Sequence, residues 1–320
     1  MTITPTLADI NAARARLAGR IHVTPLVHSR TLADRAGCAE FVLKCESLQK
    51  TGSFKVRGAL NAISQLDAAA RARGVVTVSA GNHAQAVAWA ARAEGVKATV
   101  VMPKTASETK ATASAGYGAE VIRHGTGAEA FVRAQELADT KQLAFVHPFE
   151  NPHVLAGAAT TGIEILEQEP DVDVIVVPIG GGGLIGGISA AVKQLKPSVR
   201  IFGVEPEGAA VMRQSLDAGK AVRMATPPNT IADGLAAPMA GEHCYELVRD
   251  LVDDVVIVTD QEIGSALSFL LARTKLLAEP AGAAATAALL EHKIPGIANK
   301  RVVAILSGGN IDLDRLKALV

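Results

Sequence analysis

Short runs rich in β-branched residues recur along this chain: FVLKC from 41, VVTVS from 75, ATVVMP from 98, AEVIR from 119, VIVVPIG from 174, RIFGVEP from 200, VVIVT from 255 and VVAILSGG from 302. Alanine-rich stretches of helical length fill the intervals. Successive parallel strands need a crossover between them, and a helix is the usual one, so this alternation predicts an α/β fold with mostly parallel sheets covered by helices. Such sheets bind ligands at the loops that follow the carboxyl ends of their strands. Three clusters stand there: SAGNH at 79–83, GGGGL at 180–184 and SGGN at 307–310. Ahead of the first run, Thr6 and Asp9 form a capping-box pattern for a helix that is expected to bury Leu7, Ile10 and Leu17.

A chain of 320 residues can bury a large core, and about two domains is the natural expectation. Lys plus Arg and Asp plus Glu both number 32, so no basic surface marks a nucleic-acid partner, and a small metabolite is the expected one. Cys38, Cys45 and Cys244 are widely spaced and form no CxxC pair, which points away from a disulfide framework or zinc site and toward a reducing cytoplasm. No basic segment leads into an apolar run at the start, and no stretch reaches the roughly 20 apolar residues of a membrane span. No membrane partner is expected.

The glycines Gly180, Gly181, Gly182 and Gly183 follow a strand-like run and precede a helix-like one. Unhindered N–H groups at a helix N-terminus form an anion site that needs no basic side chain. Gly181, Gly183 and Gly186 also satisfy G-x-G-x-x-G, and Glu205 lies at the end of the next strand, where a ribose-binding acid belongs, so an NAD-dependent dehydrogenase is one reading. That reading gives no task to Lys55, Asn82 or Ser307. Lys55 sits between Phe54 and Val56, just inside an expected helix start, and a desolvated lysine there can titrate near neutrality and form a Schiff base. Pyridoxal phosphate needs an amine for its aldehyde, a cradle for its phosphate, a partner for its ring nitrogen and a hydrogen bond to its phenolic oxygen. Lys55, Gly180–Gly183, Ser307 and Asn82 supply these four, although Asn82 alone also reads as a helix cap and Ser307 alone as part of a turn.

Taken in order, TPL at 24–26, LQKTGSFKVRGA at 48–59, SAGNHAQAVA at 79–88, VVMP at 100–103, GGGGL at 180–184, GVEPE at 203–207, ADG at 232–234 and SGGNIDL at 307–313 make the chain resemble the fold-type II pyridoxal-phosphate enzymes of the threonine ammonia-lyase and serine racemase group. The resemblance implies the two-domain fold shared with tryptophan synthase β. The larger domain is expected at 1–74 plus 150–320 and the smaller at 75–149. It also implies that Lys55 holds the cofactor, that Phe54 flanks its ring and that the chain forms a homodimer. Ser79, Ala80, Gly81 and His83 would line the loop that receives the substrate carboxylate.

A hydroxyl at Ser307 cannot hold a proton on the ring nitrogen as a carboxylate would, which disfavours a long-lived carbanion and points to β-elimination from a 3-hydroxy amino acid, with L-threonine and L-serine favoured. Similar serine racemases carry a serine where this chain has Ala80, so racemisation is not expected. A 3-hydroxyaspartate dehydratase needs a cation for the second carboxylate, and a pyridoxal-phosphate carrier or amino-acid sensor on the same fold needs no turnover. Metal-binding relatives pair the glutamate of GVEP with an aspartate six residues on; here Val211 follows Glu205, so no tight metal site is expected. Many relatives have glutamine at Ala158. Valine at Gly181 or Gly182 is expected to weaken cofactor retention far more than it lowers stability.

Overall fold

The computed structural model describes residues 4–320. Its strands are β1 (Leu26–His28), β2 (Glu40–Cys45), β3 (Val75–Val78), β4 (Ala98–Met102), β5 (Glu120–Arg123), β6 (Ala144–Phe145), β7 (Val174–Pro178), β8 (Arg200–Pro206), β9 (Asp254–Val258) and β10 (Arg301–Leu306). They form a six-stranded sheet in the order β1-β2-β10-β7-β8-β9 and a four-stranded sheet in the order β5-β4-β3-β6. Every neighbouring pair is parallel except β1 with β2. Each β-branched run of the sequence became a strand. The two strands without such a run, β1 and β6, are edge strands too short to show a period of two, and they exist because a neighbour offers hydrogen bonds. Leu26 faces Lys44 in the first pair and Ala144 faces Val75 in the second.

The strand order positions the site. The last strand, β10, is inserted between β2 and β7, and all three run in the same direction. The segments leaving their carboxyl ends therefore share one edge: the stretch that reaches Lys55, the four glycines, and Ser307 with its following glycines. The loop 79–83 leaves the carboxyl end of β3 in the other sheet.

The four-stranded sheet is built from strands within 75–149, but its core is not confined to that range. Leu17, Val56, Leu60, Ile63 and Val154 pack into it with Val75, Val87 and Val100. The helix Lys55–Ile63 is therefore shared by both sheets. It approaches the helix Pro152–Gln168 closely, because a side chain at Gly157 would collide with the Arg57 carbonyl. Gly187, in the helix Gly183–Leu195, meets the same long helix at the Leu155 carbonyl. Ala158 is buried in that second seam, so a glutamine at this position has to take its room from the contact with Gly187 rather than from solvent. In the helix Leu7–Leu17 the Thr6–Asp9 capping box forms as expected. Its buried residues are Ile10, Ala13 and Leu17; Leu7, in the first turn beside Gln194, is only half-buried.

Candidate active site

Leaving β2, the chain passes through Thr51 and Gly52, both left-handed with φ of 61° and 72°, before Lys55 opens its helix. Gly52 has no room for a side chain, since one would collide with the Asn310 carboxamide. The loop is then sewn to the one leaving β10. Phe54 N–H donates to the Ser307 carbonyl at 3.1 Å, Gly309 N–H donates to the Gly52 carbonyl at 2.9 Å, and Ser53 bridges to Gly308. Lys55 and Ser307 are thus fixed relative to one another by main-chain bonds. The Lys55 ammonium donates to the Pro148 carbonyl at 3.0 Å and lies 5.0 Å from the centre of the Phe54 ring. Burial pushes its pKa down to about 8. Two residues on, Arg57 anchors the helix in a buried ion network.

The glycine loop joins β7 to the helix Gly183–Leu195, with Gly182 at its N-cap and φ of +100°. The first bond of the helical ladder runs from Gly186 N–H to the Gly182 carbonyl at 2.9 Å, which leaves the N–H groups of Gly180–Gly183 for another acceptor. Phe149 lies over Gly181 and Gly183, and a side chain on Gly182 would stand 2.6 Å from Cys244 and 2.8 Å from Met212. This corrects the expectation for valine at Gly182. The position has neither the backbone angle nor the space for it, so stability falls together with cofactor retention.

Asn82 does not cap its helix. It is the first residue of Asn82–Ala93, after Gly81 at the N-cap. Its amide nitrogen donates to Glu279 Oε1 at 2.5 Å and its amide oxygen accepts from Asn310 Nδ2 at 2.8 Å. Ser79 Oγ accepts the Gly81 N–H at 3.1 Å, and a side chain on Gly81 would meet open space, so Ser79, Ala80 and Gly81 form an accessible loop. His83 differs. Its ring is buried, with Nε2 at 3.1 Å from the Val146 carbonyl, and what it offers the loop is its backbone N–H. Burial, with Lys55 nearby, drives the His83 pKa down to about 3 and that of His147 down to about 4. Both imidazoles are neutral at physiological pH. Glu279, pushed up to about 7 by burial, joins Lys55 as a group of this cleft that titrates near neutrality.

Glu279 escapes the sequence reading, and Asn310 and Cys244 figure in it without a role in the site. The first stands directly before the proline that opens the helix Pro280–Leu290, and Asn310 closes the SGGN cluster; these are the only local marks they carry. In the dinucleotide reading Glu205 is a ribose ligand, and without a second carboxylate at Val211 it is not expected to hold a metal. Its two oxygens accept the N–H groups of Met212 and Arg213, each at 2.8 Å, so the buried carboxyl serves the start of the helix Val211–Ala218. The exposed His28, the half-buried Glu40 and the buried Glu169 come together, and Arg301 already bonds both carboxylates, at 2.7 and 2.9 Å.

Residues 17–308, a span that includes every site residue above except Gly309 and Asn310, match the family described as pyridoxal-phosphate dependent enzyme. The chain belongs to that family. It is 46% identical to the L-threonine ammonia-lyase of Thermotoga maritima over 316 residues, which are 98% of this chain and 78% of that protein. With the catabolic L-threonine dehydratase TdcB of Escherichia coli the identity is 43% over 97% of this chain and 94% of the other. Among solved structures, maize serine racemase superimposes with a TM-score of 0.94 at 38% identity, covering 98% and 96% of the two chains. The processed form of threonine deaminase isoform 2 from Solanum lycopersicum gives 0.91 at 36%, covering 98% and 91%.

The residues of this pyridoxal-phosphate dependent enzyme fit its cofactor. A helix N-terminus stripped of side chains by four glycines suits a phosphate, and an amine withdrawn from water suits an aldehyde.

Proposed function

We propose that the protein is an ammonia-lyase that removes water from L-threonine or L-serine to give a 2-oxo acid and ammonia. The observation that carries the reading is the pairing of Lys55, an amine held near neutrality, with Ser307 through the 3.1 Å bond between their loops. The L-threonine ammonia-lyases among its relatives support it.

In this reading the N–H groups of Gly180–Gly183 hold the phosphate, Phe54 flanks the ring, Asn82 meets the phenolic oxygen and the Ser307 hydroxyl meets the ring nitrogen. When bound, pyridoxal phosphate supplies an electron sink for the pair left on the substrate Cα. Ser79, Ala80, Gly81 and the N–H of His83 receive the substrate carboxylate. Lys55 Nζ takes the Cα proton; the pair from that bond forms the Cα–Cβ double bond as the Cβ–O bond breaks, so that the Cα proton and the Cβ hydroxide together make up the water lost. The released enamine takes up water, giving the 2-oxo acid and ammonia.

Two cations that act on Glu279, Lys110 and Arg315, are both committed to Asp233, at 2.8 and 2.6 Å. That favours substrates with a neutral side chain over 3-hydroxyaspartate. Similarity to maize serine racemase favours racemisation as the second reading, and Ala80, which has no proton to exchange, stands against it. The test is 2-oxo-acid release from L-threonine and L-serine by the purified protein. Its absence, with D-serine formed instead, moves the assignment to the racemase. A homodimer in the cytoplasm, with domains at 1–74 plus 150–320 and at 75–149, completes the proposal. The family resemblance supports the dimer, and three free buried cysteines support the compartment. No helix of the described residues is long and apolar enough to cross a membrane.

A further inference from the structure

Glu279 stands at the N-cap of the helix Pro280–Leu290, yet its side chain makes no capping bond to that helix. Neither does it form an ion pair. Lys110 and Arg315, which face it from the helices Glu108–Gly116 and Leu313–Leu319, are bound to Asp233, and Asp233 itself adds a like charge. The carboxyl has a single hydrogen-bond partner among the described residues, the amide nitrogen of Asn82. A carboxyl desolvated at this cost, with neither a cap nor an ion pair to show for it and the charge of Lys55 acting on it only across the cleft, calls for another role.

That role is legible in the two ends of the Asn82 amide. Glu279 Oε1 accepts from Nδ2, and Asn310 Nδ2 donates to Oδ1. Turning the amide over would set its oxygen against a carboxylate and its NH2 against another NH2, so only one orientation satisfies both neighbours. Asn310 is held in turn by the Thr51 carbonyl at 2.7 Å, in the left-handed turn that leads to Lys55. Glu279 is held by its own N–H, which donates to the Gly308 carbonyl at 3.1 Å. Gly308 has to lack a side chain here, because one would collide with Glu279 Oε1. One polar chain, Glu279–Asn82–Asn310–Thr51, thus joins loops from both sheets.

We propose that Glu279 is a positioning residue of this site: its reach to Asn82 sets the direction of that amide and so presents the second amide N–H to the phenolic oxygen of the cofactor. The inference rests on the reading of Asn82 under Proposed function. It predicts that length matters at position 279 and charge does not.

The experiment is a double-mutant cycle on the pyridoxal-phosphate-loaded protein with Glu279→Asp, Asn82→Ala and both together. The readouts are the dissociation constant of pyridoxal phosphate and the position of its visible absorption band. Aspartate keeps the charge and the N-cap but is one methylene too short. Glu279→Asp is expected to weaken retention by about tenfold, to move the band, and to add nothing once Asn82 is alanine. Glu279→Gln, whose amide oxygen still accepts from Asn82, is expected to keep both parent values. Two effects that simply multiply would overturn the proposal and leave the Asn82 reading intact. If Asn82→Ala itself leaves retention and band unchanged, both fall. A loss in Glu279→Gln as large as in Glu279→Asp would also overturn the proposal, because charge and not reach would then be the requirement.

Discussion

The Arg57 guanidinium meets the Glu46 carboxylate in two parallel hydrogen bonds of 2.8 Å, with both side chains wholly out of water. Glu164 takes the opposite side of the same guanidinium at 2.7 and 2.8 Å and also accepts from Lys44 at 2.7 Å. Two cations and two anions balance, and Thr24 and Gln168 fill remaining positions. Burial penalises these charges; the fixed partners outweigh it at Arg57 and at Glu164, which is held below the usual carboxylate range, whereas at Lys44 burial prevails and holds the amine below its ordinary value. The network fastens the first turn of the helix that begins with Lys55.

Arg57→Ala should therefore cost about 3–5 kcal/mol, because it strands Glu46 without a cation and leaves Glu164 with only Lys44. Urea unfolding of the cofactor-free protein measures it. Arg57→Lys should recover only part of the loss, since an ammonium cannot make the parallel pair of bonds. A variant as stable as the parent would show that the network does not fasten the helix.

Lys55→Ala should abolish 2-oxo-acid release and the visible band of bound pyridoxal phosphate, with the circular dichroism spectrum unchanged. The side chain gives up one hydrogen bond, to the Pro148 carbonyl, and lies in a partly open cleft outside the hydrophobic clusters. Turnover near the parent rate would remove the lysine from the chemistry.

The Lys55 amine sits at about 8 in the folded chain against an ordinary 10.5. Between those values the unfolded chain holds the proton and the folded chain does not, so this group makes the cofactor-free protein more stable as pH rises through the window. Below about 8 both forms are charged and the burial penalty is in force. The rate at which cofactor-free protein captures pyridoxal phosphate, which needs the neutral amine, should climb with pH and level off just above 8. Stopped-flow absorbance would follow it; a rate still climbing toward 10.5 would contradict the shift.

Gly182→Ala should lower the stability of the cofactor-free protein by about 1–3 kcal/mol, from its φ of +100° and the approach of Cys244. Gly219, a C-cap glycine with φ of +68° and nothing within 4 Å of an added side chain, separates the two causes. Alanine there should carry the backbone penalty alone, and thermal unfolding of the pair would compare them.

Ala80 lies in the accessible loop between Ser79 and Gly81. The parent protein should yield little D-serine from L-serine, and Ala80→Ser, which adds an exchangeable proton, should yield some. Chiral chromatography beside a 2-oxo-acid assay checks both. Abundant D-serine from the parent would mean that a group other than residue 80 delivers the second proton.

Sequence alone determined what depends on neighbours along the chain. A β-branched run between alanine-rich stretches is a parallel strand wherever it falls, and glycines directly after β7 leave bare N–H groups whatever surrounds them. Lys55 was legible for the same local reason, its place at a helix start between Phe54 and Val56. Tertiary structure decided which of these local devices meet. Asn82 reads as a cap in sequence, but it bonds Glu279, 197 residues away, and Asn310, 228 residues away. Glu205 reads as a ligand, yet its oxygens are consumed by the next helix. Those pairings follow from β10 entering between β2 and β7, a choice made by how the sheet faces bury rather than by any short stretch. A lone carboxyl before a proline helix has no periodicity to betray it, because its role is set by a partner that only the folded sheet order brings within 2.5 Å.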